Sequence, residues 1–246
     1  MMIEFCLPVK NEEKILAVNA RRLYDFLLAA KPSYDWRIVI IVNGSSDSSW
    51  ALASQLTAED ADHFQAEHLA IEGKGAALKK YFLLSRADIL VFMDVDLAVS
   101  LKNLSGLLSP LLADQADLMI GSRLLFSSRT ERSFWRSFTS RVYNLLSRFL
   151  LGHDLSDLQC GFKAMRRSLF EDLSAYLKDD AWFFDTELTA WSLERGWRVQ
   201  EIAVDWQENR YDRRQSKIKV LRDAWPFVLN LLKLRRRLRA NHKRSR

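Results

Sequence analysis

The stretch 87-ADILVFMDVDL-97 decides how this chain folds. Ile89 to Met93 are apolar at every position, the pattern of a strand buried on both faces in the middle of a parallel sheet. The run stops at Asp94 and Asp96. Residues two apart on a strand point to the same side, so both carboxylates leave the sheet together at its C-terminal end. Open α/β sheets place their ligands at that end. Two neighbouring carboxylates repel unless a positive charge lies between them, and a hard divalent cation that also holds substrate phosphates is the usual occupant. The same spacing also fits a pair of solvated loop carboxylates, so the context of the pair matters.

Outward from this strand the chain alternates strand and helix. IEFCLPV reads as a buried strand ending at Pro8. It is followed by a helix with Leu16, Ala20, Leu23, Leu27 and Ala30 on one face, stopped by Lys31 and Pro32. WRIVIIVN is a second buried strand, running into the turn and helix-cap residues GSSDSS. AEHLAIEGKGAALKKYF gives a short strand, a glycine turn and a helix. After the Asp pair come a helix over about 101–112 and the strand DLMIGSR. This alternation predicts a mainly parallel, Rossmann-like sheet flanked by helices. Further on, SFWRSFTSRVYNLLSRFLLG predicts a long helix with Phe138, Val142, Leu145 and Phe149 inward and Gly152 at its C-terminus. WFFDTELTAWSLERG predicts another, opened by Asp185 and Glu187, and WRVQEIAVDW alternates as an edge strand would. No linker divides the chain, which reads as one domain over 1–220 with a basic C-terminal helix and tail over 221–246.

At 246 residues with 48% hydrophobic and 28% charged residues, the composition is that of an ordinary globular protein. Cys6 and Cys160 form no CxxC pair, which argues against a zinc or disulfide framework. No basic and apolar leader opens the sequence and no run of about eighteen apolar residues occurs, so a cytoplasmic protein without a spanning helix is expected. The net charge of +6 is unevenly spread: from Arg210 onward fourteen Lys and Arg face only Asp212 and Asp223, leaving the first 209 residues at −6. Such asymmetry calls for a partner.

Four predicted strand ends carry polar residues at one rim: Asn11 and Glu12, Asn43 to Asp47, Asp94 with Asp96, and Gly121 to Arg123. In a doubly wound sheet that rim is a single crevice, and a nucleotide suits its donors and acceptors. Gly73-Lys74-Gly75 would let backbone approach a ligand closely while Lys74 supplies charge. Neither GxxxxGK[ST] nor GxGxxG is present.

In their order, LPVKNEE, IVNGSSDSS, GKGAALKKYF, VFMDVDL, IGSRL, SDLQCGFKAM, FFDTEL and a basic Ser-Lys segment resemble family 2 glycosyltransferases of the GT-A fold. The likeness is strongest to polyprenyl-phosphate hexosyltransferases, typified by dolichyl-phosphate glucosyltransferase and dolichol-phosphate mannose synthase, and spans residues 3 to 220. It implies that Pro8, Asn11, Glu12, Asn43 and Asp47 hold the nucleobase and ribose, with Lys74 beside the nucleotide. It further implies that Asp94 and Asp96 bind Mg2+ or Mn2+ and the sugar diphosphate, with Arg123 near the phosphates. Asp157 and Gln159 match a block lining donor sugar and acceptor, and Asp185 falls where hydroxyl-glycosylating relatives keep their base. Ser216 and Lys217 match a segment that closes over the diphosphate, although RYDRRQSKI lacks the glycine that often precedes the pair.

The function implied is metal-dependent, inverting transfer of a hexose from a nucleotide-diphosphate sugar, of UDP-glucose or GDP-mannose type, to a polyprenyl-phosphate-like lipid. A glycan or small-molecule hydroxyl acceptor, and a non-catalytic nucleotide-sugar-binding protein, stay open beside it. An acceptor phosphate attacks as an anion and needs no base, whereas a hydroxyl would use Asp185. The alternative for Asp185 and Glu187 is that they cap a helix. Trp182, Phe183 and Phe184 read as core rather than a sugar platform, and Cys160 has no base to make it a nucleophile. The tail, with Trp225, Val228 and Leu232 on one face before clustered arginines, suits a helix lying on an anionic membrane, or one packed on the globule. No nucleic-acid partner is expected, because the acidic body carries no interleaved basic and aromatic surface.

Overall fold

The computed structural model describes residues 1–131, 134–207 and 220–244. Its centre is a seven-stranded sheet in the order β3-β2-β1-β4-β7-β5-β8. The strands are β1 (Met2–Val9), β2 (Asp35–Asn43), β3 (Phe64–Leu69), β4 (Ile89–Met93), β5 (Leu118–Ser122), β7 (Phe162–Arg166) and β8 (Val199–Ala203). The remaining two, β6 (Arg129–Glu131) and β9 (Asp205–Gln207), pair in parallel as a small separate sheet. The expected alternating strand over 197–206 is therefore two: β8 forms the sheet edge on β5, and after Val204 the chain crosses to β6.

The decisive stretch behaves as its pattern demands. All five residues of β4 are buried, and β4 lies parallel to β1. Beyond it burial alternates, with Val95 and Leu97 in the core and Asp94 and Asp96 part-exposed. β1 has β2 on one side and β4 on the other, so the strand order reverses there and opens a crevice at the C-terminal ends. The sheet is parallel except for β7, which runs antiparallel between β4 and β5.

Alternation along the strands sorts side chains into two cores. Ile3, Phe5, Leu7, Val91 and Met93 face α1 (Leu16–Ala30), α2 (Ser49–Glu59) and α4 (Leu104–Leu112). Cys6, Val39, Ile41, Leu90 and Phe92 face α3 (Lys74–Phe82), α6 (Arg167–Leu173), α7 (Phe184–Glu194) and the C-terminal α8 (Val220–Arg244). The predicted face of α1 holds at Leu16, Ala20, Leu23 and Leu27, while Ala30, in its last turn, is exposed. Lys31 closes that helix in the left-handed conformation, its N–H donating to the Leu28 carbonyl.

Two helices differ from expectation. In α5 (Phe134–Leu151) the predicted inward face points out: Phe138, Val142, Leu145 and Phe149 are exposed, while Asn144 and Ser147 are buried. The helix packs inward through Tyr143, Leu146, Leu150 and Leu151 instead, and a polar pairing with the loop that follows fixes that register. Asn144 Oδ1 accepts the Leu158 N–H at 3.1 Å, and Ser147 Oγ meets His153 Nε2 at 3.2 Å. Gly152 closes the helix at φ +72°, as predicted, donating to the Arg148 carbonyl. In α8 the inward residues are Leu231, Leu234 and Leu238, whereas Leu232 is exposed and Val228 half-buried. The Trp225 side chain lies outside the description. Arg237 fixes that register by pairing with Glu187 and donating to the Tyr176 carbonyl. Pro226 lies inside α8 rather than in its first turn. No helix among the described residues is long and apolar enough to cross a membrane.

Candidate active site

The crevice is built from the loops that leave β1, β2, β4 and β5. The first two are knitted together. Asn11, at φ +54°, accepts the Ser46 N–H on Oδ1 at 2.8 Å, and its own N–H donates to Ser45 Oγ at 3.0 Å. Asp47 accepts from the backbone of Ser49 and Glu13, and the Glu13 carboxylate accepts the Ser48 N–H. Burial works against the Asp47 anion, but these hydrogen bonds outweigh it and hold its carboxyl below the usual range. Asp47 thus braces the two loops. The Glu12 N–H donates to Ser49 Oγ, Pro8 is half-buried at the end of β1, and Asn43 is buried. These five residues gather at one rim, as expected.

At the end of β4 the chain turns sharply. The Leu97 N–H donates to the Asp94 carbonyl at 3.1 Å with Leu97 at φ +49°. A leucine in the left-handed region costs about 1–2 kcal/mol, and burial of its side chain in the core holds it there. The Ala98 N–H donates to Asp96 Oδ1 at 3.1 Å, fixing the second carboxylate. Asp94 Oδ1 lies 3.1 Å from Lys74 Nζ. A Cβ on Gly161 would come within 2.5 Å of Asp94 Oδ2, so only glycine leaves that carboxylate its place.

Lys74 does more than face a ligand. It is buried, and its ammonium also pairs with Asp185 Oδ2 at 3.2 Å. Burial disfavours its charge, but Asp185 and Asp94 outweigh that and hold its pKa above the ordinary lysine value. The other oxygen of Asp185 receives Lys163 Nζ at 2.8 Å, and Lys163 donates as well to the carbonyls of Leu158 and Cys160. A line of alternating charge, Asp94–Lys74–Asp185–Lys163, therefore runs from the crevice into the core. Asp185 makes no capping hydrogen bond to its helix; Asp179 Oδ1 accepts the Phe184 N–H instead. Glu187 Oε2 accepts the N–H groups of Lys178 and Asp179, so it organises the preceding turn and reaches α8.

The glycines flanking Lys74 serve the chain itself. The Gly75 N–H donates to the Ala181 carbonyl and the Ala76 N–H to that of Asp180. A Cβ on Gly73 would lie 2.1 Å from the Asp180 carbonyl oxygen. The close approach expected for a ligand is made by residues 179–181, because that contact seats α3 against α7 and places Lys74 beside Asp185. Trp182, expected in the core, is instead exposed at this edge with Lys74 Nζ 5.5 Å from its ring, while Phe183 and Phe184 are core, as expected.

Arg123 and Asp157 form a closed fork. Asp157 is fully buried and accepts from Arg123 Nε at 2.6 Å and Nη2 at 2.9 Å. Burial opposes the Asp157 anion, yet Arg123 prevails and keeps its carboxyl below the usual value. Glu201, from β8, receives the Ser156 and Asp157 N–H groups and so anchors this loop. Gln159 donates to Thr186 Oγ1, which also hydrogen-bonds Tyr143 Oη of α5. Burial pushes the Cys160 thiol up to about 11, in line with its dismissal as a nucleophile. Ser216 and Lys217 lie outside the described residues.

Sequence reading missed Lys163, Glu201, Asp179 and Tyr143. Lys163 stands within SDLQCGFK, and a lysine inside an otherwise apolar strand (FKAM) was the available signal. For a metal, no group of three or more His, Cys, Asp or Glu among the described residues could hold an ion alone. Two part-exposed carboxylates, one already facing a cation, fit Mg2+ or Mn2+ that completes its shell with diphosphate and water.

The sheet order and polar rim define a class of fold. The structure matches glucosyl-3-phosphoglycerate synthase from Mycobacterium tuberculosis, crystallised with Mn2+, UDP and phosphoglyceric acid, with a TM-score of 0.67 over 95% of this chain and 76% of that one. At 17% identity this establishes the GT-A fold. The chain belongs to glycosyl transferase family 2, whose model matches residues 4–174. It is 32% identical over 223 residues to glycosyltransferase AglD of Haloferax volcanii, covering 90% of this chain and 35% of that protein. It is 32% identical over 209 residues to the polyprenol monophosphomannose synthase of Mycolicibacterium smegmatis, covering 82% and 76%. To a dolichyl-phosphate beta-glucosyltransferase of Trichomonas vaginalis it is 26% identical over 215 residues, covering 84% and 66%. The chain thus spans about a third of AglD and two thirds of the glucosyltransferase.

Proposed function

We propose that this protein transfers a hexose from a nucleotide-diphosphate sugar to a polyprenyl-phosphate-like acceptor with inversion, using Mg2+ or Mn2+. The observation that carries the reading is Asp94, part-exposed at the switch point and facing the buried Lys74 ammonium. Bound at Asp94 and Asp96, the metal supplies charge neutralisation for the departing diphosphate. Lys74 adds a fixed positive charge that needs no reorganisation, which is the efficient way to stabilise charge developing in a transition state. The fork to Asp157 sets the orientation of Arg123 at the same rim. Both oxygens of Asp185 are engaged by lysines, so an acceptor that arrives already anionic suits this site better than a hydroxyl that must lose a proton to Asp185. The named activities of the mannose synthase and the glucosyltransferase support the same acceptor class. The accompanying partner reading is a protein on the cytoplasmic side, in peripheral contact with an anionic membrane.

The test is a thermal-shift screen of UDP-glucose and GDP-mannose with Mg2+ or Mn2+, followed by transfer from the better donor to a polyprenyl phosphate. Metal-dependent product that disappears with EDTA is expected. Donor binding without turnover on any acceptor would make the protein a nucleotide-sugar binder instead.

A further inference from the structure

Lys163 sits in the middle of the sheet, on the antiparallel strand β7, with none of its side chain exposed. A lysine at such a position is rare, because taking an ammonium out of water is costly even after the protein relaxes around it. Three oxygens offset that cost. Lys163 Nζ donates to Asp185 Oδ1 at 2.8 Å, and to the carbonyls of Leu158 at 3.1 Å and Cys160 at 2.5 Å. These partners explain how the charge is tolerated, not why it is there. An apolar side chain would suit the strand FKAM, and replacing a buried ion pair by apolar residues is often neutral for stability.

The charge balance around Asp185 supplies a reason. Asp185 is buried, and its other oxygen lies 3.2 Å from Lys74 Nζ. One anion thus stands between two ammonium groups, and the trio keeps one positive charge in excess. Lys74 alone would neutralise Asp185, so Lys163 is surplus to local neutrality. Asp157, buried on the adjacent loop, is matched by Arg123 and makes no claim on that surplus. The surroundings do not screen it. The ring of buried Phe92 lies 5.3 Å from Lys74 Nζ and 5.7 Å from Lys163 Nζ, an apolar wall beside both. Charges in such surroundings are screened far less than at a wet surface. The direction follows from the geometry. Lys163 is sealed in the core, whereas Lys74 continues to Asp94 at 3.1 Å, at the rim. A Cβ on Gly161 would lie 2.8 Å from Lys74 Nζ, so the glycine leaves that ammonium its place on the crevice side.

We infer that Lys163 is a positioning residue that acts through Asp185: by sharing this carboxylate it leaves Lys74 a positive charge that Asp185 does not cancel, aimed at the donor diphosphate, without itself touching the substrate. This rests on the nucleotide-diphosphate donor proposed above. Asp185 then serves as the rigid coupling through which a charge in the core is felt at the rim.

The experiment is calorimetric titration of the full chain with UDP and GDP in the presence of Mg2+, with the affinity for the corresponding nucleoside measured by displacement. The parent is compared with Lys163→Met and with Lys163→Met/Asp185→Asn. The single variant cancels the surplus charge, and the double variant removes anion and cation together, so that Lys74 again carries an unmatched charge. Lys163→Met should weaken diphosphate binding about tenfold while changing nucleoside binding less than about twofold. The double variant should return to within about threefold of the parental diphosphate affinity. A lysine that serves only the fold would weaken nucleoside and diphosphate together, and the double variant would bind no better than the single one. Either result overturns the inference, as does parental diphosphate affinity in Lys163→Met. Should the single variant fail to fold, as a stranded buried carboxylate can cause, the double variant carries the test. Loss of its diphosphate affinity, or its own failure to fold, would assign Lys163 to the fold alone. A parent that binds neither UDP nor GDP would take down the donor reading and this inference with it.

Discussion

Two kinds of carboxylate stand at the crevice of this protein, and they differ in what they are free to do. Asp94 and Asp96 are part-exposed at the rim, Asp94 beside the Lys74 ammonium and Asp96 accepting the Ala98 N–H. Asp157 and Asp185 are buried, and both oxygens of each are engaged by cations or backbone N–H groups. The first pair can exchange a partner for a ligand at little cost to the fold. The second pair is structural charge, whose removal strands a buried cation. A list of acidic residues along the rim does not separate the two; their burial does.

The largest effect expected is on stability. Asp157→Ala leaves the Arg123 guanidinium uncompensated and should lower unfolding free energy by about 3–5 kcal/mol, read by urea titration. The pH dependence has a definite sign. The folded-state pKa of Asp157 lies below its ordinary 3.8, so its contribution is present above that value and lost as pH falls through the folded one. Replacing it with Asn should flatten that part of the acid-unfolding profile; an unchanged profile would mean the fork contributes nothing.

Next comes activity. Asp94→Ala should reduce sugar transfer by about 10²–10³-fold, while stability changes by no more than about 1 kcal/mol. A variant that unfolds instead would erase the distinction between the two pairs. Asp185→Asn turns its NH2 toward one of two buried lysines and so should cost about 3–5 kcal/mol of stability, but its effect on transfer by the protein that stays folded should be smaller than that of Asp94→Ala. Transfer to a phosphate acceptor should stay within about tenfold of the parent, whereas a proton-abstracting role would cost about 10²–10⁴-fold. Smallest is Gly161→Ala: its Cβ would press on Asp94 Oδ2 and Lys74 Nζ, both ends of side chains that can shift. A several-fold loss in transfer with stability held within about 1 kcal/mol is the expected result, measured by product formation and thermal melts.

The first half of the sheet was legible in the sequence because β2 and β4 are largely apolar runs ending at polar residues, with β1 broken only by Glu4, while the short, part-exposed β3 was marked by the glycine turn after it. The strands from β1 to β5 and the convergence of the rim at Asn11, Asn43 and Asp94 follow from that pattern, whereas the GT-A resemblance came from the ordered motifs. The direction of β7 did not, since a five-residue strand of mixed character carries no mark of parallel or antiparallel pairing. The α5 stripe was assigned to the wrong side because periodicity locates an apolar face without saying what it faces. In α8 two rows of leucine compete, and the packing of Leu231, Leu234 and Leu238 on the core together with the Arg237–Glu187 pair makes one of them inward. The GKG turn showed correctly that backbone must come close to something. That this was Asp180 and Ala181 depends on contacts more than a hundred residues away in sequence, which no local pattern encodes.

The Arg237–Glu187 clasp has a mechanical meaning. Glu187 belongs to the same opening turn of α7 as Asp185, so the Arg237 guanidinium ties α8 to the base of the charge line. α8 thus acts as a handle on the Asp185 end of the charge line, and a chain lacking residue 237 would lose that handle.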